Sequence, residues 1–519
     1  MLFNSFAFLL AFLPATCLVF WLIGARSRVG AIAWLTLASL VFYAWWDPIY
    51  VALLVMSIVF NHLVGSAIHH CRATGAILAS TAWLVAGVTG DLLVLGYFKY
   101  AVFFIRSIID VSGAAWSVPS IILPLGISFF TFTQIAFLVD TWRGQTRSLE
   151  PARYALFVSY FPHLIAGPIL NYRETAPQFA APHLGRVDLD AVATGLTIFV
   201  VGLFKKVILA DAIARYANPV FTAAAQGTTL SLLEAWGGAL AYTLQIYFDF
   251  SAYSDMAIGL STVFGVRIPL NFNSPYKAES IADFWRRWHI SLSRFLRDYL
   301  YIPLGGNRYG KTRRYLNLMI TMLLGGLWHG ASWTFVVWGG LHGCYLVINH
   351  CWHWLRGPCR PMPSAPARFS ARALTFFSVV VAWVIFRAES FESARRILAA
   401  MFGFNGVVLF DRWRSGMGAT GDWLAAHHIG FSPMPLFAGL PQIQLTLFLL
   451  AIVWLSPNTR QLFERYDVAI GEYSALRGVF RFFAWRPSLI SAGATAALLT
   501  YCLITMRGSP STEFIYYNF

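Results

Sequence analysis

Charge is what this chain has least of. Only 12% of its 519 residues are Asp, Glu, Lys or Arg, against roughly 25% in a soluble domain, which excludes an ordinary soluble fold. Cysteine is sparse as well: Cys17, Cys71, Cys344, Cys351, Cys359 and Cys502 are scattered, several within apolar runs, so no disulfide framework follows. The group His350, Cys351, His353 and Cys359 lacks a paired CxxC or HxxxH spacing, and interfacial side chains rather than a metal site are expected there. Internal repeats of the kind many transporters show are also missing. Acidic residues are outnumbered, and the net charge is +15. The basic residues fall in short breaks between apolar runs, at Arg26 and Arg28, Lys205 and Lys206, 308–314, 356–372 and 460–486. That is a positive-inside pattern facing anionic headgroups, not a nucleic-acid surface.

What the chain has in abundance is apolar length. Hydrophobic residues make up 58% of it. Runs near the roughly 20 residues that span a bilayer recur, at 1–25, 30–46, 113–139, 442–459 and 487–506. The expected fold is an all-α polytopic membrane protein of about 11–13 transmembrane and re-entrant helices, since lipid forces each spanning backbone to satisfy its own hydrogen bonds. One membrane domain, 1–519, is the simplest division: N-terminal spans over 1–140, a polar-interrupted core over 141–356, and C-terminal helices over 357–519 with an extramembrane stretch near 388–441. The first run is longer than a signal-peptide core and has no basic residue before it, which favours a retained helix with its N-terminus outside.

Four segments bring polar chemistry into this background. "SYFPHLIAGPIL" (159–170) sets His163 between two prolines, which disfavours a straight span. It reads either as a broken segment lining a cavity or as an interfacial turn. "YFDFSAYSDMAIG" (247–259) carries Asp249 and Asp255, which need a structural partner or a functional cavity. "DFWRRWHISLSRFLRDYLYIPLGGNR" (283–308), read as one helix, gathers Arg286, Arg287, Arg294 and Arg297 within about 100° of arc. His289 lies at the margin of that face, and the glycine-rich end reaches Asn307. Such a face suits anionic lipid or the phosphates of an acyl donor. Finally, 315–355 holds no Asp, Glu, Lys or Arg and would measure about 60 Å as one helix, so it must break. "GGLWHG" places Gly325, Gly326, Trp328, His329 and Gly330 at that break. A histidine there is costly to charge, and a neutral imidazole is what a general base needs.

Taken with "FFTFTQIAFLVD", "NFNSPY", "GGLWHGASWTFVVWGGLHG", "AWVIFRAESFESA" and the terminal "FIYYNF", these motifs resemble the membrane-bound O-acyltransferase (MBOAT) family. Within it they are most similar to the bacterial polysaccharide branch that O-acetylates alginate. The main resemblance covers 129–394. It implies a ring of helices around a central funnel, with His329 as general base or proton relay and His289 assisting. Arg286, Arg287, Arg294, Arg297, Trp328, Asn307, His163 and Asp249 are the candidate donor or substrate contacts. It further implies acetyl-CoA or a similar thioester as a substrate, no bound cofactor, an exopolysaccharide acceptor, a periplasmic acetyltransferase partner protein, and residence in the bacterial inner membrane. A polysaccharide or lipid-linked sugar transporter is the rival reading, in which His163, Asp249, Asp255 and His329 would line a substrate or proton path.

Overall fold

A computed structural model of the chain describes residues 1–146, 148–357, 364–427, 429–471, 475–476, 478–508 and 512–518. The N-terminal part runs α1 (Leu13–Gly24), α2 (Arg28–Ala44), α3 (Ile49–Ala73), α4 (Ile77–Leu95), α5 (Ala101–Ser112) and α6 (Ile127–Trp142). Short pieces follow, α7 (Pro151–Ser159), α8 (Phe161–Leu164) and α9 (Tyr172–Phe179), then the long α10 (Leu189–Phe204), α11 (Asp211–Ala225) and α12 (Leu232–Val263). The next pair is α13 (Ile281–Trp285) and α14 (Ile290–Leu296), leading into α15 (Gly310–His329), α16 (Trp333–Leu355) and α17 (Ala365–Arg387). The chain closes with α18 (Phe391–Met401), α19 (Arg414–Met417), α20 (Ala419–Ala426), α21 (Leu440–Leu455), α22 (Thr459–Leu462) and α23 (Leu489–Gly508). Strand structure among the described residues is confined to two minimal parallel pairs, Ile268–Pro269 with Ala469–Ile470 and Val408–Phe410 with Gly430–Ser432.

Among the described residues, six helical stretches are long and apolar enough to cross a membrane: Ala7–Gly24, Ile49–Ala73, Ile77–Ser112, Leu189–Ala225, Ala365–Arg387 and Leu489–Gly508. Shorter apolar helices occupy Arg28–Ala44, Ile127–Trp142 and Leu440–Leu455. With almost no strand, this is an all-α polytopic membrane protein, as the composition requires.

Local signals set the boundaries. The Ser27 hydroxyl accepts from the Gly30 amide to start α2, and Ser231 and Glu234 form a reciprocal capping box at the start of α12. The apolar run 113–139 does not make one span. Gly113 closes α5 in a left-handed conformation (φ 68°), residues 113–124 are non-helical, and Pro119 and Pro124 withhold helix donors there. Helix α6 therefore begins only at Ile127.

The core lies around α12, whose residues 246–263 are all buried. Its carboxylates pair with lysines of the wide π-helical turn Lys205–Ala210 between α10 and α11. Asp255 meets Lys205 at 2.6 Å, and Asp249 meets Lys206 at 2.8 Å with both side chains 2% exposed. The chain ends converge nearby: the Asn4 side-chain amide donates to the Thr512 carbonyl, and Phe3 stacks on Tyr253 of α12.

Candidate active site

The segment 283–308 is not the single amphipathic helix that its periodicity suggests. Helix α13 stops at Trp285, and α14 starts at Ile290. His289 sits between them at φ 44°, a left-handed conformation that a non-glycine residue adopts only when its surroundings impose it. The constraint comes from "NFNSPY". The Asn273 amide donates to the Arg287 carbonyl (3.0 Å), and the Ile290 amide donates to the Asn271 carbonyl (3.0 Å). Backbone groups that a continuous helix would satisfy internally are thus spent on the neighbouring strand-like segment.

Asn271 also orients the imidazole. Its Oδ1 accepts from the Ser291 hydroxyl (2.8 Å) and backbone amide (3.3 Å), while its Nδ2 donates to Ser254 Oγ (3.3 Å). The same oxygen faces His289 Nδ1 at 3.2 Å. With that oxygen as acceptor, Nδ1 carries the proton and Nε2 presents its lone pair, buried without a hydrogen-bond partner among the described residues. The Ser291 hydroxyl lies 2.9 Å from the Ile169 amide as its acceptor, which ties "SYFPHLIAGPIL" to the same place.

His329 arrives from the other side as the last residue of α15. The expected break in 315–355 falls at Gly330–Ser332, and the Ser332 hydroxyl then accepts from the Thr334 amide to start α16. Helices α15 and α16 pack backbone to backbone: a Cβ on Gly326 would lie 2.2 Å from the Phe335 carbonyl oxygen. The His329 ring centre is 6.4 Å from that of His289. Its Nδ1 is buried without a hydrogen-bond partner among the described residues. Trp328, Trp338 and Phe386 crowd it at 5.0, 5.1 and 5.3 Å. Tyr516, near the end of the chain, stands 5.9 Å from His329 and 6.1 Å from His289. Among the described residues no carboxylate forms an ion pair with either histidine. Two buried imidazoles with open nitrogens in an aromatic cage can take and return a proton.

The other candidates are spread more widely. Trp328 is buried 5.9 Å from His289. Arg287 pairs with Asp283 (2.9 Å), Arg294 with Glu174, and Arg297 with Asp298 (2.7 Å). The hydrogen bond and charge of Asp298 raise the pKa of the Arg297 guanidinium. Arg286 is exposed. Asn307 is exposed and accepts from the Tyr301 hydroxyl at 2.6 Å. His163 is buried with Nε2 2.9 Å from the Phe157 carbonyl. Asp249 holds Lys206 and accepts from the Ile515 amide (2.8 Å), which anchors the tail bearing Tyr516. No group of three or more His, Cys, Asp or Glu able to hold a metal occurs among the described residues, and Cys359 lies outside them.

Four contributors escaped the sequence: Asn271, His342, Tyr516 and Lys99. His342 packs on Trp338 at 4.8 Å and accepts from Trp285 Nε1 at 3.3 Å. A lone lysine inside the apolar "LGYFKYAVFF" was itself a signal, because such a charge is costly in a span.

A cavity of about 960 Å³ opens beside this cage, lined by Lys206, Arg215, Gln245, Ser332, Phe386 and Arg387 among others. It adjoins the α15–α16 turn and the anchored tail.

Comparison with known proteins identifies the family. Residues 143–386 match the family model described as MBOAT, membrane-bound O-acyltransferase family. A peptidoglycan O-acetyltransferase of Helicobacter pylori is 37% identical over 551 aligned positions, covering 100% of this chain and 98% of that protein. A protein of Azotobacter vinelandii named "Probable alginate O-acetylase AlgI" is 47% identical over 417 positions, 79% of this chain and 80% of its own length. A teichoic acid D-alanyltransferase of Bacillus subtilis is 27% identical over 278 positions, 52% of this chain and 69% of its own. With its two buried histidines on the α13–α14 turn and at the end of α15, this chain belongs to the membrane-bound O-acyltransferase family and is an O-acyltransferase.

Proposed function

We propose that the protein moves an acetyl group from a cytoplasmic thioester, acetyl-CoA or a close relative, to a hydroxyl presented on the opposite face of the bacterial inner membrane. The final acceptor is an exopolysaccharide, alginate first among candidates, reached directly or through a periplasmic partner protein. The observation that carries this reading is the 6.4 Å separation of the His289 and His329 rings, each with an open buried nitrogen. His329 removes the proton of the attacking hydroxyl as its oxygen bonds to the thioester carbonyl. The tetrahedral intermediate then expels the thiolate, and the proton returns to that sulfur. His289, its tautomer set by Asn271, positions the acyl group and shares the proton.

The charge pattern supports the orientation. Basic breaks at Arg26 and Arg28, 308–314 and 356–372 are what a cytoplasmic side carries, which supports an N-terminus on the outside. On that side Arg286 is exposed and belongs to no ion pair among the described residues, so it is the arginine best free to meet donor phosphates. The 960 Å³ cavity beside Ser332 then opens toward the acceptor.

The test is turnover of labelled acetyl-CoA by purified protein in nanodiscs, with alginate or peptidoglycan fragments as alternative acceptors. His329→Ala is expected to lose at least about 10²-fold in rate, the low end for a general base. Normal turnover by that variant would refute the assignment. Passage of a sugar substrate across the bilayer without acyl transfer would favour transport instead.

A further inference from the structure

Lys99 lies in a wide π-helical turn, Gly96–Tyr100, that interrupts the helical stretch Ile77–Ser112. Turns of this kind often mark functional places in otherwise regular helices. The lysine is 7% exposed, and its ammonium donates to the carbonyl of Trp328 (2.5 Å) and to Ser128 Oγ (3.1 Å). No carboxylate pairs with it among the described residues. Its neighbour Tyr100 donates its hydroxyl to the carbonyl of Leu327 at 3.0 Å.

These two carbonyls belong to the last turn of α15, immediately before His329. Terminal carbonyls of a helix lack partners within it, and a cation is favoured at that negative end of the helix dipole. A buried ammonium without a carboxylate is expensive, whereas either packing or capping could have been met by a neutral side chain. We propose that Lys99 and Tyr100 form a clamp that fixes the end of α15, with Lys99 a positioning residue for His329. The adjoining indole is held by the same contact, since the ammonium also lies 5.8 Å from the Trp328 ring centre. The catalytic consequence rests on the proposed acyl transfer; the clamp itself does not.

Two measurements on the full-length protein in nanodiscs test it, using Lys99→Met, Lys99→Arg and Tyr100→Phe. Amide hydrogen exchange over 325–332 should quicken in Lys99→Met and Tyr100→Phe, and this readout needs no donor. With acetyl-CoA, Lys99→Met should lower kcat about 10²-fold, as expected for a base displaced by about 1 Å, while the donor KM changes little. Lys99→Arg, which restores a cation and donors, should recover much of that loss. Exchange and kcat both unchanged in Lys99→Met would overturn the clamp, as would a rise in KM at constant kcat or an Arg variant no better than Met. If Lys99→Met fails to accumulate as a single species, Tyr100→Phe decides: native exchange and native kcat there overturn the proposal. Altered exchange combined with a native protein inert toward acetyl-CoA would sink the donor assignment and leave the clamp standing.

Discussion

Helices α12 and α23 are both long enough to cross a bilayer, yet they live in different solvents. In α12 every residue of 246–263 is buried in protein. In α23 Cys502 alone is buried, and 6% of the apolar window lies inside the molecule. Hydropathy recognises α23 and passes over α12. The same division holds for the site: neither histidine lies on one of the six stretches apolar enough to qualify as a span. Lipid-facing helices must be apolar throughout, because nothing else can satisfy them. Interior helices can carry Asp249 and Asp255 because protein groups supply their partners, and α15 can carry His329 because the ring faces protein side chains rather than lipid. Apolarity therefore locates the wall of this enzyme, and interruptions of apolarity locate its centre.

The largest expected effect on stability is at the centre. Asp249→Asn removes one of the two carboxylates of buried Lys206, Asp211 at 2.9 Å being the other, and weakens the Ile515 anchor. Breaking a buried pair of this kind should cost about 3 kcal/mol, read as a lower thermal midpoint in detergent. A midpoint equal to that of the native protein would mean that the centre is no more demanding than the wall.

A second comparison sets one glycine of each region side by side. A Cβ on Gly326 would meet the Phe335 carbonyl at 2.2 Å, whereas one on Gly493 of α23 meets nothing within 4 Å. Gly326→Ala should cost roughly 1–3 kcal/mol through forced separation of α15 and α16. Gly493→Ala should stabilise its helix by at most about 1 kcal/mol. Similar melting shifts for the two would erase the distinction between wall and centre.

How much of this was legible in the sequence follows from the same physics. His329 was readable because a polar residue amid 41 uncharged positions, flanked by glycines, contradicts its surroundings, and the break that it implied lies at Gly330–Ser332. The break at His289 was not readable. Periodicity runs on through 283–297, and only the backbone pairing of Asn271 and Asn273 with Arg287 and Ile290 interrupts the helix. The arginine arc drawn on that helix dissolves with it, into separate pairs with Asp283, Glu174 and Asp298. Tyr516 reaches the histidines from more than 180 positions away in the chain through a tail pinned on Asp249, a contact that no local pattern encodes.

The central claim is that His289 and His329 act as one unit, and a double-mutant cycle on acetyl transfer tests it most directly. His329→Ala and His289→Asn, the latter chosen because Asn tolerates the left-handed backbone, are compared with the double variant. Residues that act together give strongly non-additive losses. The double variant should therefore be no slower than the worse single variant by more than about twofold, allowing the roughly 0.5 kcal/mol within which additivity is measured. Losses that multiply in the double variant would show two independent histidines and contradict the account.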